Sequence, residues 1–257
     1  MNFRSKNLLI TGGCGFIGSN FIKYILEKYV NVKIYNIDIL SYASDLTNLT
    51  GIDLSRYNFI EGDINNTKLV RNTFKENKID GVINFAAETH VDNSISNPDI
   101  FVTTNINGVF KLLKIAYEFW MNSPFEKKIN FSKARFHQIS TDEIYGSSKI
   151  EKFSEQSKIR PNSPYSASKA SADLLVRSFN KTYGLDTTIS VSSNNYGPNQ
   201  HREKFIPKII ESLNKNQSIP IYGSGNNIRD WIYVIDNCRA IDLIYNNSKI
   251  GETYNIG

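Results

Sequence analysis

Three consecutive residues, Thr141-Asp142-Glu143, offer one hydroxyl and two carboxyl groups directly after the strand-like run Arg135–Ser140. Two carboxyls side by side are natural material for paired general acid and base work, although the same trio also serves as a capped loop. Further on, Tyr165 and Lys169 stand four apart in a helical pattern that opens with Ser163 as cap and Pro164 in the first turn. They share one face of that helix, a spacing that also arises by chance. Near the amino end, Gly12, Gly15 and Gly18 lie between an apolar run, Leu8-Leu9-Ile10, and a helical pattern carrying Phe21, Ile25 and Tyr29. Strand, glycine loop and helix in that order suit a pyrophosphate: the turn is tight, backbone amides come close, and the helix N-terminus adds partial positive charge. Asp38 closes the next apolar run, where a carboxylate accepts from both hydroxyls of an adenosine ribose; the alternative is a glycine-rich turn followed by an unrelated acid.

The elements that must position these residues alternate. After the strand Val32–Ile37, a polar stretch to Arg56 reads as irregular, and Tyr57–Asp63 reads as a third strand ending in an acid-containing turn. Asp63 there suits either the adenine amino group or a turn or helix-cap role. Thr67–Asn77 has helical spacing, and Gly81–Ala87 is the near-continuous apolar run of a parallel strand covered on both faces. Ala86 and Ala87 leave room at its carboxyl end, with Glu88, Thr89 and His90 following in the loop where open α/β sheets bind ligands. One long helical pattern is predicted from Pro98 through Trp120, and residues 122–134 read as an exposed loop. A strand at Thr188–Ser192, a helix near Phe205–Asn214, extended pieces at Ile219–Tyr222 and Trp231–Val234, a helix at Asp236–Asn246 and a terminal Thr253–Gly257 complete the chain. The fold expected is α/β, a Rossmann-type doubly wound parallel sheet with a smaller second part. Residues 1–193 are assigned mainly to the dinucleotide-binding domain and 194–257 mainly to substrate-binding elements interleaved with it.

With 257 residues, the chain is long enough for a full α/β core. No apolar run approaches the ~18 residues of a membrane span, and the N-terminus lacks an apolar signal core, so a cytoplasmic protein without membrane contact is expected. Cys14 and Cys238 suggest neither a disulfide framework nor a metal site. The net charge of +5 comes from lysines scattered along helices, often beside acids, with no basic-aromatic stripe, so no nucleic-acid partner is expected.

Seven segments resemble one family: Thr11–Ser19 (TGGCGFIGS), Phe85–Ser94 (FAAETHVDNS), Ser140–Gly146 (STDEIYG), Tyr165–Asp173 (YSASKASAD), Asn194–Pro198 (NNYGP), Glu203–Pro207 (EKFIP) and Arg229–Asp236 (RDWIYVID). Together they are similar to the nucleotide-diphosphate-glucose 4,6-dehydratases, of the dTDP-glucose type, within the extended short-chain dehydrogenase/reductases. The Tyr165/Lys169 pair carries the superfamily likeness. Thr141-Asp142-Glu143 discriminates, since related 4-epimerases usually lack the Asp-Glu pair. The resemblance implies NAD as cofactor, Tyr165 as base toward the C4 hydroxyl with Lys169 favouring its phenolate, and Thr141 bonded to the C4 oxygen. It further implies Glu143 as base at C5, a protonated Asp142 as acid at the leaving C6 hydroxyl, and hydride returned to C6.

By the same resemblance Gly12, Gly15, Phe16, Ile17 and Gly18 hold the pyrophosphate, Asp38, Ile39, Leu40 and Ser41 the ribose, and Asp63 and Ile64 the adenine. Phe85, Ala86, Ala87, Glu88, Thr104 and Asn195, with Tyr165 and Lys169, line the nicotinamide side. Thr89, Thr141, Asn194, Lys204, Phe205, Pro220, Tyr222 and Arg229 are the implied substrate contacts, and the substrate is a nucleotide-diphosphate sugar. The carboxylate of Asp38 favours NAD over NADP. Two departures stand out: Asn199-Gln200-His201-Arg202 replaces a segment that more often holds a proline and an aromatic residue, and family chains continue past Tyr254-Asn255-Ile256-Gly257, which implies truncation. Pro198-Asn199-Gln200 resembles enzymes that use UDP-glucose, so thymidine and uridine nucleotides both stay open. A homodimer is implied, paired through the helical patterns 99–121 and 164–183. The rival readings are a 4-epimerase and a non-enzymatic NAD(H) sensor; sequence-specific DNA binding is the weakest.

Overall fold

A computed structural model describes residues 2–148, 152–219 and 225–257. The chain begins β1 (Asn7–Thr11), α1 (Phe16–Lys28), β2 (Lys33–Asp38), β3 (Tyr57–Glu61), α2 (Thr67–Asn77) and β4 (Gly81–Asn84). Two short helices, α3 (Val91–Ser96) and α4 (Pro98–Phe101), lead through a π-type wide turn (Val102–Gly108) into α5 (Val109–Trp120). A hairpin of β5 (Met121–Ser123) and β6 (Glu126–Lys127) precedes β7 (Arg135–Thr141), α6 (Pro164–Tyr183) and β8 (Thr187–Ser192). The rest is β9 (Asn194–Tyr196), α7 (Phe205–Asn214), β10 (Trp231–Tyr233), α8 (Val234–Asn247) and β11 (Thr253–Ile256).

Seven parallel strands form the main sheet in the order β11-β8-β7-β4-β1-β2-β3. The chain leaves β1 toward β2 and β3, then returns to β4 on the other side. The direction of winding therefore switches between β1 and β4, which opens a crevice at the carboxyl ends of these strands. Apolar side chains cover both faces. One layer joins α2, α5 and α6 through residues such as Phe74, Leu112, Trp120, Val176 and Val191; the other joins α1 and α8 through Phe21, Ile25, Cys238 and Ile241. Polar residues inside the sheet are paired: His137 bonds Thr188 at 2.8 Å and Ser190 at 3.0 Å, so β7 crosses the core without orphaned polar atoms at that position.

Three local expectations change. The helix read through 98–120 is interrupted by the wide turn, whose backbone departs from the 3.6-residue period that apolar spacing reports. Within the supposedly irregular stretch after Asp38, Leu46–Leu49 forms a 3-10 turn capped by Asp45. The stretch 122–134 contains the hairpin and a second 3-10 turn at Ile129–Phe131, too short to leave a periodic signal. The extended piece at Ile219–Tyr222 lies mostly outside the described residues. Finally, β11 pairs with β8 and α8 packs on α1, so the last 25 residues or so return to the main sheet by the same βα logic that built it.

Candidate active site

The glycine loop is shaped from two sides. Gly12 has φ +70, and a Cβ on it would stand 2.6 Å from the Ala86 nitrogen, so β4's exit and the loop are packed backbone to backbone. Gly15 is the opposite case: a Cβ there would meet only Gly12 O at 3.4 Å and Ala43 O at 4.0 Å, which leaves the crest open. Gly15 is also the N-cap of α1 and supplies no side-chain cap, so the first amides of that helix, including those of Phe16 and Ile17, have no side-chain acceptor at the cap. An open crest over uncapped amides fits a pyrophosphate.

Asp38 is buried beside this loop. Its Oδ2 accepts from the Cys14 amide at 2.8 Å and its Oδ1 from the Leu40 amide at 2.9 Å, so the carboxylate is held in place and each oxygen keeps a lone pair for a ribose hydroxyl. Ile39 is exposed, while Leu40 and Ser41 are half-buried. Asp63 accepts through Oδ1 from the Asn65 amide at 2.7 Å, which is the turn role foreseen as its alternative; its other oxygen remains for a ligand. Ile64 is buried against Gly108.

At the end of β4, Phe85, Ala86, Ala87 and Glu88 are half-buried and Thr89 is exposed. Burial raises the Glu88 carboxyl above its ordinary range. This loop is held by a residue that the sequence reading passed over. Asn105 in the wide turn, one position after Thr104, accepts from the Glu88 amide at 2.9 Å and donates to the Glu88 carbonyl at 3.0 Å and to Ser168 at 2.8 Å. An asparagine inside an apolar helical pattern marks the position in the sequence but not its partners. Below it, Thr11 donates to Asn84 at 2.5 Å and Asn84 to Gln138 at 2.9 Å, a buried chain that ties β1, β4 and β7 together.

The five residues expected to carry chemistry meet at the end of β7. Thr141 caps a 3-10 turn, Asp142–Tyr145, by accepting from the Glu143 amide at 3.3 Å. Ser163 and Ser166 form a reciprocal capping box at the start of α6, with Pro164 in the first turn, which fixes where Tyr165 enters. The Thr141 hydroxyl donates to Asp142 at 3.4 Å and acts on the nearby Tyr165 phenol, and Lys169 donates to the Ile139 carbonyl at 2.6 Å. Every acid here is pushed up. Burial raises Tyr165, and the nearby Glu143, Asp142 and Asp173 charges raise it further against the opposing effect of the Thr141 hydroxyl. Burial raises Asp142, helped by Asp230 and opposed by the Thr141 bond and Arg229. Burial and Asp142 raise Glu143, while Arg229 and Lys204 oppose.

The substrate-side residues are more open. Lys204 and Arg229 reach Glu143 electrostatically; the Arg229 side chain otherwise bonds only its neighbour's carbonyl, Ile228 O at 2.8 Å, among the bonds of the described residues. Asn194 is half-buried, Phe205 is exposed and stacks with Trp231, and Asn195 is buried and donates to Ser193 O at 3.0 Å. Pro220 and Tyr222 lie outside the described residues. The departing segment 199–202 bridges the two halves: Asn199 donates to Ser19 at 3.1 Å, and Asn20 donates to the Pro198 carbonyl at 2.8 Å. An open groove of about 610 Å³ beside it, lined by Tyr196, Gln200, Arg202, Pro207 and Ile210 among others, includes none of the five residues at β7. Among the described residues no cluster of ligating side chains could hold a metal, and no helix is long and apolar enough to cross a membrane.

A switch-point crevice, a glycine loop and a Tyr/Lys helix define an extended short-chain dehydrogenase/reductase of the Rossmann type. Comparison narrows this. Residues 9–257 match the family model described as GDP-mannose 4,6 dehydratase, and the chain belongs to that family. It is 45% identical over 261 residues to the dTDP-glucose 4,6-dehydratase of Salmonella typhimurium, covering 97% of this chain and 71% of that one. Its structure is similar to that of DesIV, a dTDP-glucose 4,6-dehydratase from Streptomyces venezuelae with NAD and TYD bound, at TM-score 0.87 and 38% identity over 98% of this chain and 75% of DesIV. A UDP-glucose 4-epimerase from Thermotoga maritima with UDP-glucose shares the fold at TM-score 0.86 but only 28% identity, over 98% and 76% of the two chains.

Proposed function

We propose that this chain is an NAD-dependent sugar-nucleotide 4,6-dehydratase that converts dTDP-glucose or UDP-glucose to the 4-keto-6-deoxy sugar nucleotide. The observation that carries the reading is the turn Thr141-Asp142-Glu143, with two carboxyls raised by burial and facing Tyr165. NAD, when bound, supplies a hydride acceptor for C4 and a hydride donor for C6. Gly12, Gly15, Phe16, Ile17 and Gly18 hold its pyrophosphate, Asp38 its ribose, and Ala86, Ala87, Thr104 and Asn195 line the nicotinamide side.

The chain's own residues move the protons. Tyr165 takes the C4 hydroxyl proton, with Thr141 bonded to the same oxygen. The ketone at C4 makes the C5 proton acidic; Glu143 removes it and would return a proton to C5 when C6 receives hydride. Asp142 gives a proton to the C6 hydroxyl, which leaves as water. Burial raises both carboxyls and Arg229 opposes the rise at each, so the division between acid and base rests on the family resemblance rather than on the surrounding charges. Lys204 and Arg229 attract the diphosphate.

The assay incubates the protein separately with each nucleotide-glucose and follows product by NMR. A C6 methyl beside a C4 ketone supports the reading; galactose in its place establishes the 4-epimerase alternative, which the Thermotoga likeness keeps in view. Ligand binding with no turnover on either sugar points to the sensor. The chain also pairs as a homodimer in this reading. Ile100, Val102 and Phe110 on α4 through α5 and Leu174 on α6 are exposed apolar residues on two helical stretches packed side by side, an arrangement suited to a four-helix bundle about a two-fold axis. Light scattering at micromolar concentration is expected to give twice the chain mass, and a monomer excludes the pairing.

A further inference from the structure

Tyr165, Lys169 and Asp173 recur every fourth residue on α6 and form one stripe beneath the end of β7. The reaction described above uses the first two. Asp173 is equally enclosed, at 3% exposure. Its Oδ2 accepts from the Ser140 hydroxyl, and its Oδ1 accepts no hydrogen bond from the described residues. Lys169 is 5% exposed, and its Nζ donates to a neutral acceptor, the Ile139 carbonyl. An ammonium so placed gives up its proton unless an anion stands near, because burial penalises the charged form.

The groups facing this stripe come from several elements. From β7 and its turn come Ser140, Thr141, Asp142, Glu143 and Tyr145; Asp142 and Glu143 act on Tyr165, and Tyr145 feels Asp173. The wide turn adds Asn105 through Ser168, and β8 adds the apolar Ile189 and Val191. Among the described residues Asp173 is the carboxylate that acts on Lys169. Burial lowers Lys169 to about 8 against the opposing charge of Asp173, and burial raises Asp173 to about 7 against Lys169 and the Ser140 bond.

We infer that Asp173 is a positioning residue for the reaction: its buried carboxylate, fixed by Ser140 to the strand that carries Thr141, keeps Lys169 an ammonium in line with Tyr165. The link to catalysis rests on the dehydratase reading; the link between Asp173 and Lys169 rests on their places one turn apart on the same buried face of α6 and on the charge that Asp173 brings to Lys169. Neutralising Asp173 takes an anion away from both Lys169 and Tyr165, so both hold their protons less tightly.

The test titrates Lys169 in NAD-loaded protein labelled with carbon-13 at the lysine ε-carbon, its signal assigned by loss in Lys169→Met. The midpoint near 8 is expected to fall by ~1 or more in Asp173→Asn and in Asp173→Ser, two neutral replacements of different size. The descending limb of kcat against pH should move the same way. Ser140→Ala removes the bond that favours the ionised form of Asp173, so it should shift the Lys169 midpoint in the same direction but by less than either replacement of Asp173. A folded Asp173→Asn or Asp173→Ser protein with an unchanged midpoint overturns the inference. Because the titration needs no turnover, it decides the matter even if the wild type forms no keto sugar, a result that would sink the dehydratase reading separately.

Discussion

The two ends of the crevice treat their polar groups in opposite ways. Around the glycine loop, side chains are already satisfied by the protein: both Asp38 oxygens accept backbone amides, and Thr11, Asn84 and Gln138 bond one another. At the end of β7, Asp142 and Glu143 are half-buried and Tyr165 is buried, and burial is the leading cause of each raised proton affinity. The first arrangement stabilises a shape that a ligand can enter without rearrangement. The second keeps proton donors and acceptors in a state that a substrate relieves. Raised proton affinity therefore gathers at the β7 end, while the buried Thr11-Asn84-Gln138 chain ties β1, β4 and β7 together.

Breaking the β7 end should have the larger effect on rate. Tyr165→Phe and Glu143→Gln are each expected to lower kcat by ~10²–10⁴-fold, the range for a lost general acid or base, with little change in thermal stability. Steady-state keto-sugar formation and a thermal melt on the same samples check this; a fall in melting temperature that accounts for the lost rate would erase the contrast. Activity should also fall on the acid side as Glu143, raised above its ordinary value, takes up its proton. Breaking the cradle should show in stability and cofactor content instead. Gly12→Ala forces a side chain onto φ +70 and into the Ala86 backbone, at a cost of about 1–3 kcal/mol. Purified Gly12→Ala should melt earlier and carry less NAD; unchanged NAD content would show that the loop is not the cradle.

Much of the cradle was legible in the sequence because its signals are local. Gly12 to Gly18, Leu8-Leu9-Ile10 and Asp38 lie within one βαβ unit, where spacing alone implies geometry. Thr141, Asp142 and Glu143 were legible for the same reason, sitting together after a strand. Asn105 was not, because its partners, Glu88 and Ser168, are 17 and 63 residues away, and the wide turn that aims it breaks the very period used to read the helix. Asp173 lay inside a recognised segment without a role, since only its burial and its Ser140 bond distinguish it from a helix-surface acid. The Asn199 and Asn20 ties across the crevice join segments about 180 residues apart, beyond any local pattern.

The same contrast can be sharpened through pH at the middle of β7, where His137 is buried and paired rather than strained for chemistry. Burial, with Arg135 nearby, lowers it from 6.5 to about 3. Between those values the unfolded chain binds a proton that the folded chain refuses, so its contribution to stability is complete above 6.5 and is lost as pH falls toward 3. The slope is at most ~1.4 kcal/mol per pH unit from this one group. His137→Gln, which keeps polar atoms for Thr188 and Ser190, should flatten the decline of melting temperature across that window even if it lowers the melting temperature overall. It should leave the acid limb of kcat in place, because that limb belongs to Glu143. If the slope of stability were unchanged, or if the kcat limb moved with it, the sheet interior and the β7 end would titrate as one system, and the division between a satisfied scaffold and a strained site would fail.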